Sequence, residues 1–332
     1  MDNLGGVWIT SAGGAGFLHD EGMRRLELPT TLAEGSFSVL AADAAGIPRK
    51  RTRAQDLITV SRGIRVPPGC GAHGAAALRA YCQLDGCTVL CHLTAARIWR
   101  VGLPPWADCD WRIHLARPRG GSIPTRANVA GHRLALRPGD VVMLDGVRVT
   151  SPERTYLDLA ATLALDDLVA AGDSLVSEHG PEFPSPRAAL ASVETLNRML
   201  LQHPGARHIR RAREALGLVR VGADSPPETR LRLAVVRGGL PEPELNHVVW
   251  GPAGAPELWP DAAYPAYGVA LQYDGLHHGG VSQHLRDIRR ARTTERLGWC
   301  EVRVARDDLE GECPTVVGRV RRVLLSRGWT PR

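Results

Sequence analysis

Lysine is nearly missing from this chain: Lys50 is the single lysine among 41 basic residues, and every other cation is an arginine. No side-chain amine is therefore available downstream of position 50. Arginine offers bidentate contacts to phosphates and guanine edges that lysine does not make. Aromatic residues are sparse, at 5%. No apolar run reaches the roughly 20 residues that a bilayer-spanning helix requires, so no membrane partner is expected. The chain opens on Asp2 and the pair Gly5-Gly6, not on a basic and then apolar leader, which predicts a cytoplasmic protein. Its seven cysteines are odd in number and show no regular pairing, as expected of reduced thiols. Cys87 and Cys91 with His92 lack a matching second ligand pair at usable spacing, so buried, apolar-like thiols are expected there, not structural zinc.

What is present fits a multi-domain α/β (α+β) protein. At 332 residues there is room for two or three cores. The net charge of +6 permits a nucleic-acid partner. Three segments separate: residues 1–70, 71–222 and 223–332. In the first, an apolar stretch at Val39–Asp43 meets a Gly46-Ile47-Pro48 break, then basic Arg49-Lys50-Arg51-Thr52-Arg53. Two strand-like runs follow around Arg62-Gly63. Proline starts the second helix, giving the order of a winged helix-turn-helix. Between Arg49 and Arg65 there are six basic residues and one acid, Asp56. Arg49, Lys50, Arg51, Arg53 and Arg62 are the candidate DNA contacts; a solvated basic helix is the plainer alternative.

The middle segment reads as α+β. Ala75–Tyr81 and His92–Trp99 look helical, whereas Ile113–Ala116 and Val141–Leu144 look like strands, the latter closed by an Asp145-Gly146 turn. Ser151-Pro152-Glu153 opens a helix with a serine cap, a first-position proline and an acid facing the dipole; the pattern runs toward Leu163. His92, His114 and His132 read as structural histidines. Arg207–Arg213 reads as a solvated helix face.

The third segment carries the candidate chemistry. A helix starts at Ser225-Pro226-Pro227-Glu228, and strands are expected at Leu245–Trp250, Val269–Tyr273 and Trp299–Ala305. Helices are expected at Asp287–Leu297 and Pro314–Leu325. The order implies an α/β sandwich. Alternation places Gln272 and Asp274 on one face of their strand, with Leu271 and Tyr273 on the other. Glu228 reads equally as the far end of a capping box and as a ligand. Asp261 reads as a turn residue after Pro260 or as a ligand delivered beside the strand.

Ser225-x-x-Glu228-x-x-Leu231, Gly239-Leu240-Pro241, Asp261 with Pro265, Tyr273-Asp274-Gly275-x-x-His278, Asp287-x-x-Arg290 and Gly298-Trp299 with Val302-x-Val304 occur in one order. In these the segment resembles the endonuclease-like domain related to very-short-patch repair (Vsr) nucleases, in the PD-(D/E)xK superfamily. The preceding segments, through His92-Leu93-Thr94-Ala95-Ala96 and Val149-Thr150-Ser151-Pro152-x-Arg154-Thr155, more loosely resemble winged-helix antitoxin proteins of the AbiEi type.

The resemblance implies a restriction-endonuclease-like α/β/α sandwich that hydrolyses DNA with Mg²⁺ or Mn²⁺. Asp261, Gln272 and Glu228 would hold the metal. Asp274 stands where many relatives have lysine, His278 would donate a proton or touch phosphate, and Arg286 and Arg290 would contact DNA. The departure is Gln272, since related domains usually carry glutamate there. A neutral amide binds a hard cation more weakly. The alternative is a catalytically inactive, antitoxin-like transcriptional regulator retaining the fold. DNA is the expected partner, with a toxin or a second copy of the chain as further candidates.

Overall fold

The computed structural model describes residues 26–67, 74–83, 85–118, 122–274, 281–311 and 313–331, except for the side chains of 281–287 and of Pro314. Mixed helices and sheets divide into two compact units, one spanning residues 1–98 and 109–150, the other 99–108 and 151–332.

In the first unit, α1 (Thr30–Ala33), β1 (Phe37–Ser38), α2 (Val39–Ala44), α3 (Arg49–Thr52), β2 (Ile58–Ser61) and β3 (Ile64–Val66) surround a small core of Leu32, Phe37, Ala42, Ile47 and Leu57. The three strands form one sheet in the order β1-β3-β2. The basic helix at Arg49 is a single turn. Two side chains end it: Thr52 Oγ1 donates to the Arg49 carbonyl, and Arg65 Nε, from β3, donates to the Thr52 carbonyl at 2.7 Å. Backbone acceptors that a longer helix would use are occupied by side chains instead.

The same unit continues with α4 (Arg79–Gln83), β4 (Val89–Leu90), α5 (His92–Ile98), β5 (Ile113–Pro118), β6 (Val129–Leu134), β7 (Val141–Leu144) and β8 (Val147–Thr150). The five strands order as β6-β5-β4-β8-β7. β7 and β8 form a hairpin whose corner, Asp145 at φ 49° and Gly146 at φ 73°, takes the left-handed pair that a two-residue turn requires.

The second unit holds α6 (Pro105–Asp108), α7 (Pro152–Leu159), α8 (Leu165–Val176), α9 (Val193–Gln202), α10 (Ile209–Leu218) and α11 (Pro226–Arg237). These are followed by β9 (Val249–Trp250), β10 (Pro256–Leu258), β11 (Ala262–Tyr264), β12 (Val269–Asp274), α12 (Val281–Arg296), β13 (Cys300–Ala305) and α13 (Pro314–Ser326). Ser151 caps α7 as the sequence predicts, accepting from the Arg154 amide at 3.2 Å. The strand expected over Leu245–Trp250 contracts to β9 because Asn246 is left-handed, at φ 53°, and spends its amide on the Glu178 carbonyl.

β12 pairs antiparallel with β11 and parallel with β13. Leu271, Val302 and Val304 point into a core with Leu231 and Val235 of α11 and Val316, Val320 and Leu324 of α13. That alternation leaves Gln272, Asp274, Glu301 and Arg303 on the opposite face, which α12 meets through Arg290. α12 stops at Gly298 (φ 75°), where the Trp299 amide donates back to the Thr294 carbonyl.

α11 is fixed against α8 by a buried ion pair, Arg232–Asp173 at 3.0 Å, with side chains only 2% and 1% exposed. Asp173 also accepts from Thr229 Oγ1 and the Arg220 amide, and Arg232 donates to the Leu218 carbonyl. Arg232 also reaches the partly exposed Glu242 at 3.2 Å, which would be its remaining carboxylate among the described residues, so Asp173→Ala is expected to cost the second unit about 3 kcal/mol. Urea unfolding checks this; a loss below about 1 kcal/mol would mean that Arg232 is adequately satisfied by its remaining partners.

Candidate active site

Three of the expected residues converge at one end of the β11-β12-β13 sheet. Asp261 immediately precedes β11, and because Ala262 pairs with Leu271, Asp261 arrives beside Gln272. Its Oδ2 accepts the Tyr273 amide at 2.6 Å and its Oδ1 accepts Gln272 Nε2 at 2.8 Å. Glu228 sits in the first turn of α11. Its Oε1 accepts from the Ser225 hydroxyl and its Oε2 from the Asp224 amide, each at 2.7 Å. Glu228 therefore ties down the helix start, but not as a capping box, because the Ser225 side chain makes no cap bond and the amide that Glu228 accepts from belongs to Asp224.

The electrostatics follow from that proximity. Burial, reinforced by the Asp261 charge, pushes the Glu228 carboxyl up to about 8. Burial also raises Asp261, to about 6, against the opposing pull of the Tyr273 amide, Arg290 and Gln272. Asp224, which the sequence reading missed, adds a third carboxylate whose charge raises both. It is itself held by Arg187 at 2.8 Å and His179 at 3.2 Å.

On the far side of Gln272 the sign reverses. Gln272 Oε1 accepts from Arg290, and Arg290 Nε donates to Glu301 at 2.7 Å. Glu301 accepts from Arg303 at 2.7 Å, and Arg303 lies 3.6 Å from the exposed Asp274. Since guanidinium only donates, Arg290 settles which end of the Gln272 amide is oxygen. The amide turns its NH₂, not its oxygen, toward Asp261. Glu301 was also missed, although strand parity carried the signal: Val302 and Val304 face the core, which puts Glu301 and Arg303 on the face of Gln272.

The remaining candidates separate by unit. Arg49, Lys50, Arg53 and Arg62 are exposed on the first unit, Arg49 in a surface ion pair with Asp43. Arg51 is not available in the same way, since it forms a two-pronged pair with Asp56 at 2.9 Å and binds the Leu26 carbonyl. His278 and the side chain of Arg286 lie outside the described residues.

Glu228 and Asp261 both favour the protonated form when folded, so ionising them costs the folded state. The penalty grows as pH rises through the ordinary carboxyl range of about 4 and is complete above about 8. Wild-type protein is therefore expected to lose melting temperature relative to Glu228→Gln between about pH 5 and about pH 8, by about 2–4 °C for each kcal/mol of penalty. Parallel melting curves for the two proteins across that range would remove this account.

No family model matches the chain, and no solved structure matches it. Two proteins of Mycobacterium tuberculosis do: uncharacterized protein MT2308 of strain CDC 1551 / Oshkosh and uncharacterized protein Rv2248 of strain ATCC 25618 / H37Rv. Each is 29% identical over 243 residues, which covers 73% of this chain and 83% of the relative. The chain is thus similar, over most of its length, to two proteins whose names state no activity.

Proposed function

We propose that the chain is a metal-dependent DNA endonuclease of the PD-(D/E)xK kind, with the α2–β3 region of the first unit acting as a winged helix-turn-helix that binds DNA. The observation that carries this reading is the convergence of Glu228 and Asp261, from a helix start and a strand start, at the end of β12 with no lysine or arginine hydrogen-bonded to either carboxylate in the described contacts. Two buried carboxylates, each raised by burial and by the charge of Asp224, suit a hard divalent cation, which takes oxygen ligands and offsets their repulsion. The donor set thus fits Mg²⁺ or Mn²⁺, held by Asp261 and Glu228. When bound, the cation would activate water and neutralise charge on the scissile phosphate.

The protein's own groups prepare the site. The Tyr273 amide and Gln272 Nε2 orient the Asp261 carboxylate. Ser225 and the Asp224 amide hold Glu228. Arg290 holds Gln272, so the amide contributes positioning in this arrangement, not an oxygen ligand. Exposed Arg49, Lys50, Arg53 and Arg62 suit phosphate contacts in the first unit.

One observation favours a second reading. With its oxygen committed to Arg290, Gln272 leaves the cation one ligand short, as expected of a DNA-binding regulator that retains the fold without cleavage. Supercoiled plasmid with Mg²⁺ or Mn²⁺ separates the two. Metal-dependent nicking by wild type that vanishes in Asp261→Ala supports the nuclease; salt-sensitive binding by both proteins without nicking supports the regulator. Gln272→Glu, which restores a carboxylate, is expected to tighten metal binding on the order of tenfold. Calorimetric titration checks this, and unchanged affinity would separate Gln272 from the metal site.

A further inference from the structure

A second cluster lies in the first unit. Cys91 follows β4 and His92 opens α5, while β5 carries His114 and β6 carries His132. In the β5–β6 register His114 pairs with Ala130, so His132 lies two residues on, diagonal to His114 on the same face. The fold thereby joins residues about 40 positions apart in sequence. Donor atoms of Cys91, His92 and His132 all lie within 4.8 Å of one another. His92 Nδ1 is 3.3 Å from Cys91 Sγ, and the His92 and His132 rings stack with centroids 3.8 Å apart.

Two further observations point to a ligand. His92 holds a left-handed backbone, φ 48°, which is costly for a residue with a side chain and delivers its ring into the cluster. Behind His132 runs a polar relay: its Nε2 is 3.0 Å from His114 Nδ1, and His114 Nε2 is 3.4 Å from Asp110 Oδ2. A carboxylate–histidine chain of that kind fixes the tautomer of a metal-binding imidazole: with Nε2 of His132 donating to His114, Nδ1 carries the lone pair a metal would take.

We infer that Cys91, His92 and His132 bind one Zn²⁺ ion, with His114 and Asp110 positioning His132 and the fourth place open to water. Thiolate and imidazole are the donors that select zinc over Mg²⁺ or Ca²⁺. Binding releases the Cys91 thiol proton to solvent as the sulfur–metal bond forms. The ion ties the start of α5 to β6. The sequence hides the site because its third ligand comes from a strand far along the chain, not from a second Cys/His pair at close spacing. The inference is independent of the endonuclease reading.

Co²⁺ added to metal-free full-length protein tests it. The expected result is sulfur-to-cobalt charge-transfer absorption in the near ultraviolet with tetrahedral visible bands, saturating at one equivalent and bleached by Zn²⁺. Asp261→Ala and Cys87→Ser should retain the bands, whereas Cys91→Ser should lose them. His132→Gln, at a half-buried position, should weaken Zn²⁺ binding at least about tenfold and guards against misfolding of the cysteine variant. Absence of the charge-transfer band in wild type overturns the inference. So does its persistence in Cys91→Ser, or unchanged Zn²⁺ affinity in a His132→Gln protein of native circular dichroism.

Discussion

The buried Arg232–Asp173 pair is the interaction on which the second unit's chemistry depends. A guanidinium and a carboxylate withdrawn from water are tolerable only when nearly all their hydrogen-bonding capacity is met. Here most of it is met, by Thr229, the Arg220 amide, the Leu218 carbonyl and Glu242, while Arg232 Nε has no partner among the described residues. Because Thr229 and Arg232 share α11 with Glu228, the pair fixes the rotation of that helix about its own axis. Glu228, one residue before Thr229, is aimed by a salt bridge it does not touch. Hydrophobic contacts from Leu231 and Val235 hold the helix on the sheet, but a non-directional force leaves its rotation loosely set.

Gln272 divides two electrostatic regimes. On one side the carboxyls of Asp224, Glu228 and Asp261 crowd together, which raises the last two; on the other, Arg290, Glu301, Arg303 and Asp274 alternate in sign. An amide is suited to the boundary because it donates at one end and accepts at the other. A carboxylate there would answer Arg290 well and Asp261 poorly. In this state Gln272 stabilises the arrangement by being neutral, the same property that weakens it as a ligand.

Much of this was legible in the sequence, where local pattern and tertiary environment agree. The apolar run Val269–Tyr273 became a strand, and the Ser151-Pro152 start became a capped helix. Alternation correctly put Gln272 and Asp274 on the face away from the core. What was not legible depends on long-range partners. Nothing in the basic run 49–53 says that Arg51 folds back onto Asp56, or that Arg65 ends the helix by taking the Thr52 carbonyl. The left-handed Asn246 that shortens β9 answers to Glu178, 68 residues away. Glu301 acquires meaning only once β13 is laid parallel to β12.

Lys50, exposed on the single-turn helix α3, carries the only side-chain amine in the chain. Amine-directed reagents therefore meet one lysine target, and that target stands among the exposed arginines Arg49 and Arg53. A fluorophore or crosslinker attached there would report from the basic surface without any engineered cysteine, and the cysteines would stay untouched. Near-exclusive use of arginine thus gives the molecule a single-lysine handle on its first unit.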